Sequence, residues 1–205
     1  MLAFEQFVED TLRRGGSINT MFEERLFALI GVLERVAIPL TKDDIPYELI
    51  GGGAVMVQVQ RVEPSAVRNT KDVDIMLYRE DLERAKESVM RHGFTFRHVA
   101  GVDMLLPPGE TKAMNAVHLI FSGEKVRPNQ VIPNPPIRPE RVSVHGVDVA
   151  VIPVADLLQM KLSNNRDIDR VHVRDLDSVG LITTDVENSL PSSLVARLAE
   201  IRGTE

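Results

Sequence analysis

The chain has 205 residues, 43% of them hydrophobic and 26% charged, an ordinary globular balance for one domain or a domain with a small appendage. Cysteine is absent, which excludes disulfides and Cys-based zinc sites; no run of about 18 apolar residues is present to span a membrane, and the N-terminal MLAFEQFVEDTLRR lacks the basic start of a signal peptide, so a cytoplasmic protein is the default expectation. The net charge of -6 argues against nonspecific coating of nucleic acid, while the basic groups Arg166, Arg170 and Arg174, and Lys125 with Arg127, leave phosphate contact at one site open.

In chain order, residues 3 to 13 and 18 to 36 read as two helices separated by Gly15 and Gly16. In the second, Met21, Phe22, Leu26, Leu29, Ile30, Leu33 and Val36 recur at helical spacing, and Pro39 is expected to end it. YELIGGG is a short strand running into glycines. The valines of AVMVQVQRV suit a strand, but three preceding glycines suit a tight strand-to-helix turn, so a helix is expected. After a loop, residues 71 to 78 form a strand. Residues 80 to 92 form a helix stopped by Gly93, and FTFRHV, VDMLL and residues 114 to 121 form further strands. Residues 126 to 139 hold five prolines and are expected as an extended loop, either covering a cleft or mediating contacts. RVSVHGVDVAVI reads as a hairpin turning at His145-Gly146. From Pro153 the pattern is helical: VADLLQMKLS, RDIDRVHVRDLDSVG, and a last helix near 191 to 201. The expected fold is α/β (α+β): a mixed-sheet core with N-terminal helices over 1–150 and a helical part over 151–205, as two subdomains or one continuous domain.

Within the strand at 71 to 78, Val73, Ile75 and Leu77 share one face, and Asp72 and Asp74 the other. Two carboxylates on one face repel unless a cation lies between them, and Mg²⁺ or Mn²⁺ takes one or two carboxylates together with substrate phosphates. The alternative is a half-exposed strand with a polar solvent face. Gly52 and Gly53, at the start of a helix, offer backbone amides to phosphate oxygens; the alternative is a tight turn. Arg68 and Thr70 precede the pair, placed for phosphate contact or for a solvated loop. Lys161 lies on an apolar helix, either reaching a triphosphate across a cleft or extending to solvent. The charges of Arg174 and Asp175 read as a solvated helix face.

The pattern LIGGGAVMVQVQR…RNTKDVDIML resembles the nucleotidyltransferase superfamily of the DNA polymerase beta type. Its Arg-x-Thr-x-Asp-x-Asp form looks most like the abortive-infection toxin branch. In DLLQMKLSNNRDIDRVHVRDLDSVGLI, Lys161, Arg166 and Asp169 match a lysine, and an aspartate after an arginine, that recur in that branch. The resemblance covers roughly residues 47 to 180.

It implies a metal-dependent transfer of a nucleoside monophosphate from a nucleoside triphosphate to a hydroxyl acceptor. That acceptor would be a nucleic-acid end, a protein or a small molecule. Asp72 and Asp74 would hold Mg²⁺ or Mn²⁺. Gly52, Gly53, Arg68, Thr70, Lys161 and Asp169 would hold the nucleotide. A toxin role in a two-gene system with a partner protein is part of the same implication. Family members that are active carry a third carboxylate on a later strand, where this chain has His118: a hydrogen-bonded histidine, a metal ligand better suited to Mn²⁺ or Zn²⁺ than to Mg²⁺, or a general base. Asp103 and Glu124 are other candidates for the third carboxylate. Two alternatives stand beside nucleotidyl transfer: a degenerate relative that binds nucleotide or a partner without turnover, and a glycosyltransferase, against which the early Gly-Gly turn and the short chain speak.

Overall fold

The structure, a computed structural model, describes residues 21–68, 70, 72–111, 116–144 and 146–204, with side chains from residue 29 onward. The helix expected at 3 to 13, and His145 of the expected hairpin turn, lie outside the described residues. The order is α1 (Met21–Lys42), β1 (Tyr47–Ile50), α2 (Gly51–Gln60), β2 (Val73–Leu77), α3 (Leu82–Met90), β3 (Thr95–Val99), β4 (Val102–Leu106), β5 (Val117–Phe121), β6 (Glu140–Val144), β7 (Val147–Val151), α4 (Val154–Asn164), α5 (Asp167–Ser178), α6 (Thr184–Asn188) and α7 (Ser192–Arg202). The strands form one mixed seven-stranded sheet in the order β3-β4-β5-β2-β1-β7-β6, with β2 parallel to β5 and β1 parallel to β7.

Strand register sorts side chains onto two faces. Leu49, Ile75 and Leu119 stand opposite one another and point into the core; Ile50, Asp74 and His118, one step along each strand, point to the other face. A single cluster of buried apolar side chains runs from Leu29 of α1 to Ile201 of α7, so the C-terminal helices share the core of the sheet. No helix among the described residues is long and apolar enough to cross a membrane.

Two local expectations are corrected. Pro39 does not end α1, which continues to Lys42. Its ring forfeits one helical hydrogen bond, a cost of about 3 kcal/mol, but Val36, Ala37 and Leu40 around it are buried, and burying such side chains gains about 1.5–3 kcal/mol for each large one. The short helix α6 was not expected; Thr183 caps it by accepting from the Val186 amide at 3.3 Å. The valine-rich segment after the glycines is indeed a helix, buried from Gly53 to Val59.

The proline-rich stretch 126–139 holds no helix or strand; its first half, 126–132, bends and turns, with the Gln130 amide donating to the Arg127 carbonyl at 3.1 Å, which corrects the expectation of an extended loop throughout, and the stretch is fastened at several points. Ser163 of α4 exchanges hydrogen bonds with the Ile132 backbone at 3.0 and 3.1 Å. Asn134 Nδ2 donates to the Phe121 carbonyl at 2.9 Å, and Ser122 Oγ donates to the Pro135 carbonyl at 2.8 Å. Arg138 donates to both oxygens of Asp156 at 3.0 Å, and its backbone amide donates to Glu48. The stretch is a strap over the sheet end, and Val126 and Arg127 from it enter the wall of the cavity described next.

Candidate active site

β1 ends at Ile50, and the chain reverses into α2 through Gly51, whose φ of +69° is left-handed backbone that glycine tolerates and other residues resist. The antiparallel register pairs Ile50 with Asp74 and so brings that carboxylate to the turn. A Cβ built on Gly51 would lie 2.1 Å from Asp74 Oδ2, so the carboxylate occupies the space a side chain would need. Asp72, just before β2, is exposed. Val73, Ile75 and Leu77 are buried on the core face, as the alternation requires.

His118 stands directly across from Asp74 on β5. Its Nδ1 donates to Asp74 Oδ1 at 3.1 Å. This hydrogen bond, then the charges of Asp74 and Asp72, hold the imidazole above its ordinary pKa although burial pulls it down. The fields of both aspartates therefore converge on one ring. The other two candidates for a third carboxylate lie elsewhere. Asp103 is level with Leu119, on the opposite face from His118, and bonds His98 and Arg79. Glu124 is held by a two-pronged contact from Arg79.

Beside Asp74 and Gly51 opens a cavity of about 130 Å³, walled by Ile120, Val126, Leu157 and Met160 and carrying Lys161, Asn164, Arg166, Asp169 and Arg127. Lys161 does not extend to solvent: it is 5% exposed and donates to Asp169 Oδ1 at 3.4 Å. Burial pushes its ammonium pKa down, while the Asp169 and Asp74 charges push it back up. Asp169, 1% exposed, would be raised by burial, but Arg166 donates to both of its oxygens at 2.6 and 3.0 Å, and with the Lys161 charge this leaves the carboxyl below its ordinary range. Asp169 also closes the first turn of α5 by accepting from the Arg166 amide.

The remaining expected residues lie on the far side of the glycine turn. Gly52 faces Thr70 and His172, at 2.7 Å from Thr70 Oγ1 and 3.5 Å from His172 Cε1 for a Cβ built there. Gly53 faces Leu49 in the core, so its missing side chain serves helix-on-sheet packing. Arg68 is an exposed loop cation, as the solvated reading has it, but it is tied at one end: its Nε donates to Asp175 Oδ1 at 2.6 Å. Asp175 in turn is buried, which corrects its reading as part of a solvated face; Arg174 is half-buried and donates to Thr204 Oγ1 at 2.9 Å. His172 belongs to no motif in the sequence, and its one signal there is that it follows Asp169 by three residues, the spacing that shares a helix face.

Among the described residues, no three His, Asp or Glu side chains form a ready-made metal cage. The donors fit a cation completed by substrate: Asp74 Oδ2 has no hydrogen-bond donor among the described residues, and Asp72 adds a second hard oxygen donor at the strand end.

No protein-family model and no curated protein matches the chain. By structure it is similar to an antigenic nucleotidyltransferase-like protein from Paracoccidioides brasiliensis, with a TM-score of 0.56 and 16% identity over 86% of this chain and 88% of that one. Two structures of the antibiotic-resistance factor ANT(2'')-Ia overlap more loosely. Its solution structure gives a TM-score of 0.45 and 12% identity over 90% of this chain and 85% of that one. Its crystal structure in complex with adenylyl-2''-tobramycin gives 0.47 and 12% over 85% and 97%. The fold is thus nucleotidyltransferase-like, a mixed seven-stranded sheet with an N-terminal helix and C-terminal helices.

Proposed function

We propose that the chain is a metal-dependent nucleotidyltransferase that moves a nucleoside monophosphate from a triphosphate to a hydroxyl acceptor. The observation that carries this reading is the Asp74 carboxylate seated over Gly51, at the mouth of a helix N-terminus and in one cavity with Lys161 and Asp169. Backbone amides at the start of α2 bind phosphate oxygens there. Asp72 and Asp74 would hold Mg²⁺ or Mn²⁺, which when bound supplies neutralisation of charge at the α-phosphate as pyrophosphate leaves. Lys161, fixed by Asp169, places an ammonium toward the polyphosphate. His118 takes the proton of the attacking hydroxyl, its orientation set by Asp74. The Arg-x-Thr-x-Asp-x-Asp form and the match of Lys161, Arg166 and Asp169 support placement near the abortive-infection branch.

The test is transfer of labelled nucleotide from each triphosphate, with Mg²⁺ or Mn²⁺, to nucleic-acid, protein and small-molecule acceptors. Asp74→Ala is expected to lower transfer about a hundredfold or more. Absence of transfer to every acceptor, with no effect of Asp74→Ala on nucleotide binding, defeats the reading. One observation favours a second reading, a non-catalytic nucleotide binder: His118 stands where a carboxylate would complete the donor set. That reading expects a triphosphate to raise the melting temperature without turnover.

A further inference from the structure

Helix α5 meets the candidate site at two places. Its first turn carries Asp169 into the cavity, and three and six residues later His172 and Asp175 reach the back of the glycine turn. Asp175 is 7% exposed and accepts from Arg68 at 2.6 Å, while the Arg68 side chain is 67% exposed. Asp175 Oδ2 and His172 Nδ1 are buried without a hydrogen-bond partner among the described residues. Both residues line one void of about 10 Å³ with Gly52 and Thr70, close to the room one water takes.

We infer that Asp175 and His172 are positioning residues of the nucleotide site: they hold the loop that carries Thr70 and Asp72, and they brace the glycine turn from behind. This rests on the proposed nucleotide-binding reading of the cavity. Arg68 precedes Asp72 by four residues, and the described residues between Ala66 and Val73 belong to no helix or strand, so the place of Asp72 depends on ties made by its neighbours. The Arg68–Asp175 pair is such a tie, and it links positions 107 residues apart. Loop, turn and helix meet without slack, since a side chain on Gly52 would collide with Thr70 and touch His172. Burial, then the Lys161 charge, keeps the imidazole at a pKa of about 4, so at neutral pH it packs against the turn uncharged and does not repel Arg68.

Hydrogen exchange by mass spectrometry on the full chain tests this, together with titration of Mn²⁺ and ATP, GTP, CTP or UTP followed by calorimetry. Asp175→Asn is expected to speed exchange of the amides at 66–72 about tenfold and to weaken triphosphate binding about tenfold, with the β6–β7 hairpin and the strap unchanged. Arg68→Gln, at an exposed side chain, reproduces the effect; the double variant adds nothing further, and Asp175→Glu restores part of it. Unchanged exchange at 66–72 in both single variants overturns the inference, as does a uniform rise across the sheet. The two failures are separable: a wild-type chain that binds no triphosphate sinks the proposed function, while loop exchange alone decides whether α5 holds the loop.

Discussion

Lys161 is the residue whose environment departs most from the habits of its type. An ammonium at 5% exposure survives because Asp169 lies 3.4 Å away and because Asp74 adds a second negative charge along the cavity. Arg166 also grips Asp169, so removing the lysine does not orphan the carboxylate. Lys161→Met should therefore cost only about 1–3 kcal/mol of stability in urea titration, less than breaking a two-member buried pair. The same variant should lose triphosphate affinity about tenfold or more, because the cavity gives up its one buried ammonium. A large loss of stability with unchanged affinity would show the lysine to be structural alone.

At the scale of elements, the strap is the feature that organises the cleft rim. Asn134 is its knot: buried, donating to Phe121 and accepting from Gln130 Nε2 at 2.9 Å, with backbone bonds to Gly123 and Glu124. Asn134→Ala removes both side-chain bonds, while the Phe121 carbonyl keeps the Glu124 amide at 3.4 Å and Gln130 Nε2 keeps the Ile132 carbonyl at 2.9 Å, so it should destabilise by about 1–2 kcal/mol. It should also loosen the backbone around the already exposed Lys125 and speed tryptic cleavage there; an unchanged digestion rate would show that the other ties suffice. Local chemistry made several elements legible from sequence. The alternation Val73, Ile75, Leu77 marks β2, and the glycine run marks the β1–α2 turn. The neighbouring valines could not settle helix against strand; the left-handed Gly51 settles it. Long-range contacts decided the rest. Leu40 keeps α1 helical past Pro39, and a bond from Arg68 ties the buried Asp175 across 107 residues of sequence. Asp74 and His118 were each visible as candidates, but only the parallel pairing of β2 with β5 makes them neighbours.

For the whole molecule, the buried carboxyl of Glu48 sets how stability varies with pH. It is fully buried on β1; one oxygen accepts from the Arg138 amide at 3.1 Å, and the other has no hydrogen-bond partner among the described residues. Burial, and then the Asp156 charge, raise its pKa to about 7. The folded chain thus binds a proton that the unfolded chain releases near the ordinary carboxylate range. Stability should fall as pH rises through that window to about 7, by up to about 1.4 kcal/mol per unit, and level off above it. Glu48→Gln should flatten this segment of a denaturant-stability profile; an unaltered slope would assign the effect to other groups. The shared core makes a second expectation. Leu157, Leu158 and Leu162 of α4 are fully buried together with the apolar face of the sheet. The chain should melt in one transition seen alike by fluorescence of added dye and by circular dichroism, and a chain ending at residue 152 should show no cooperative melt.

The seat of Asp74 against Gly51 ties two positions into one heritable unit. Any larger residue at 51 must take up left-handed backbone and displace the carboxylate, a penalty of about 1–3 kcal/mol for the backbone alone. In a selection for restored solubility of Gly51→Ala, suppressors should concentrate at position 74 as smaller residues. Each rescued clone would regain its shape while surrendering the acid, so repair of the scaffold and repair of the chemistry would be mutually exclusive at this corner of the molecule.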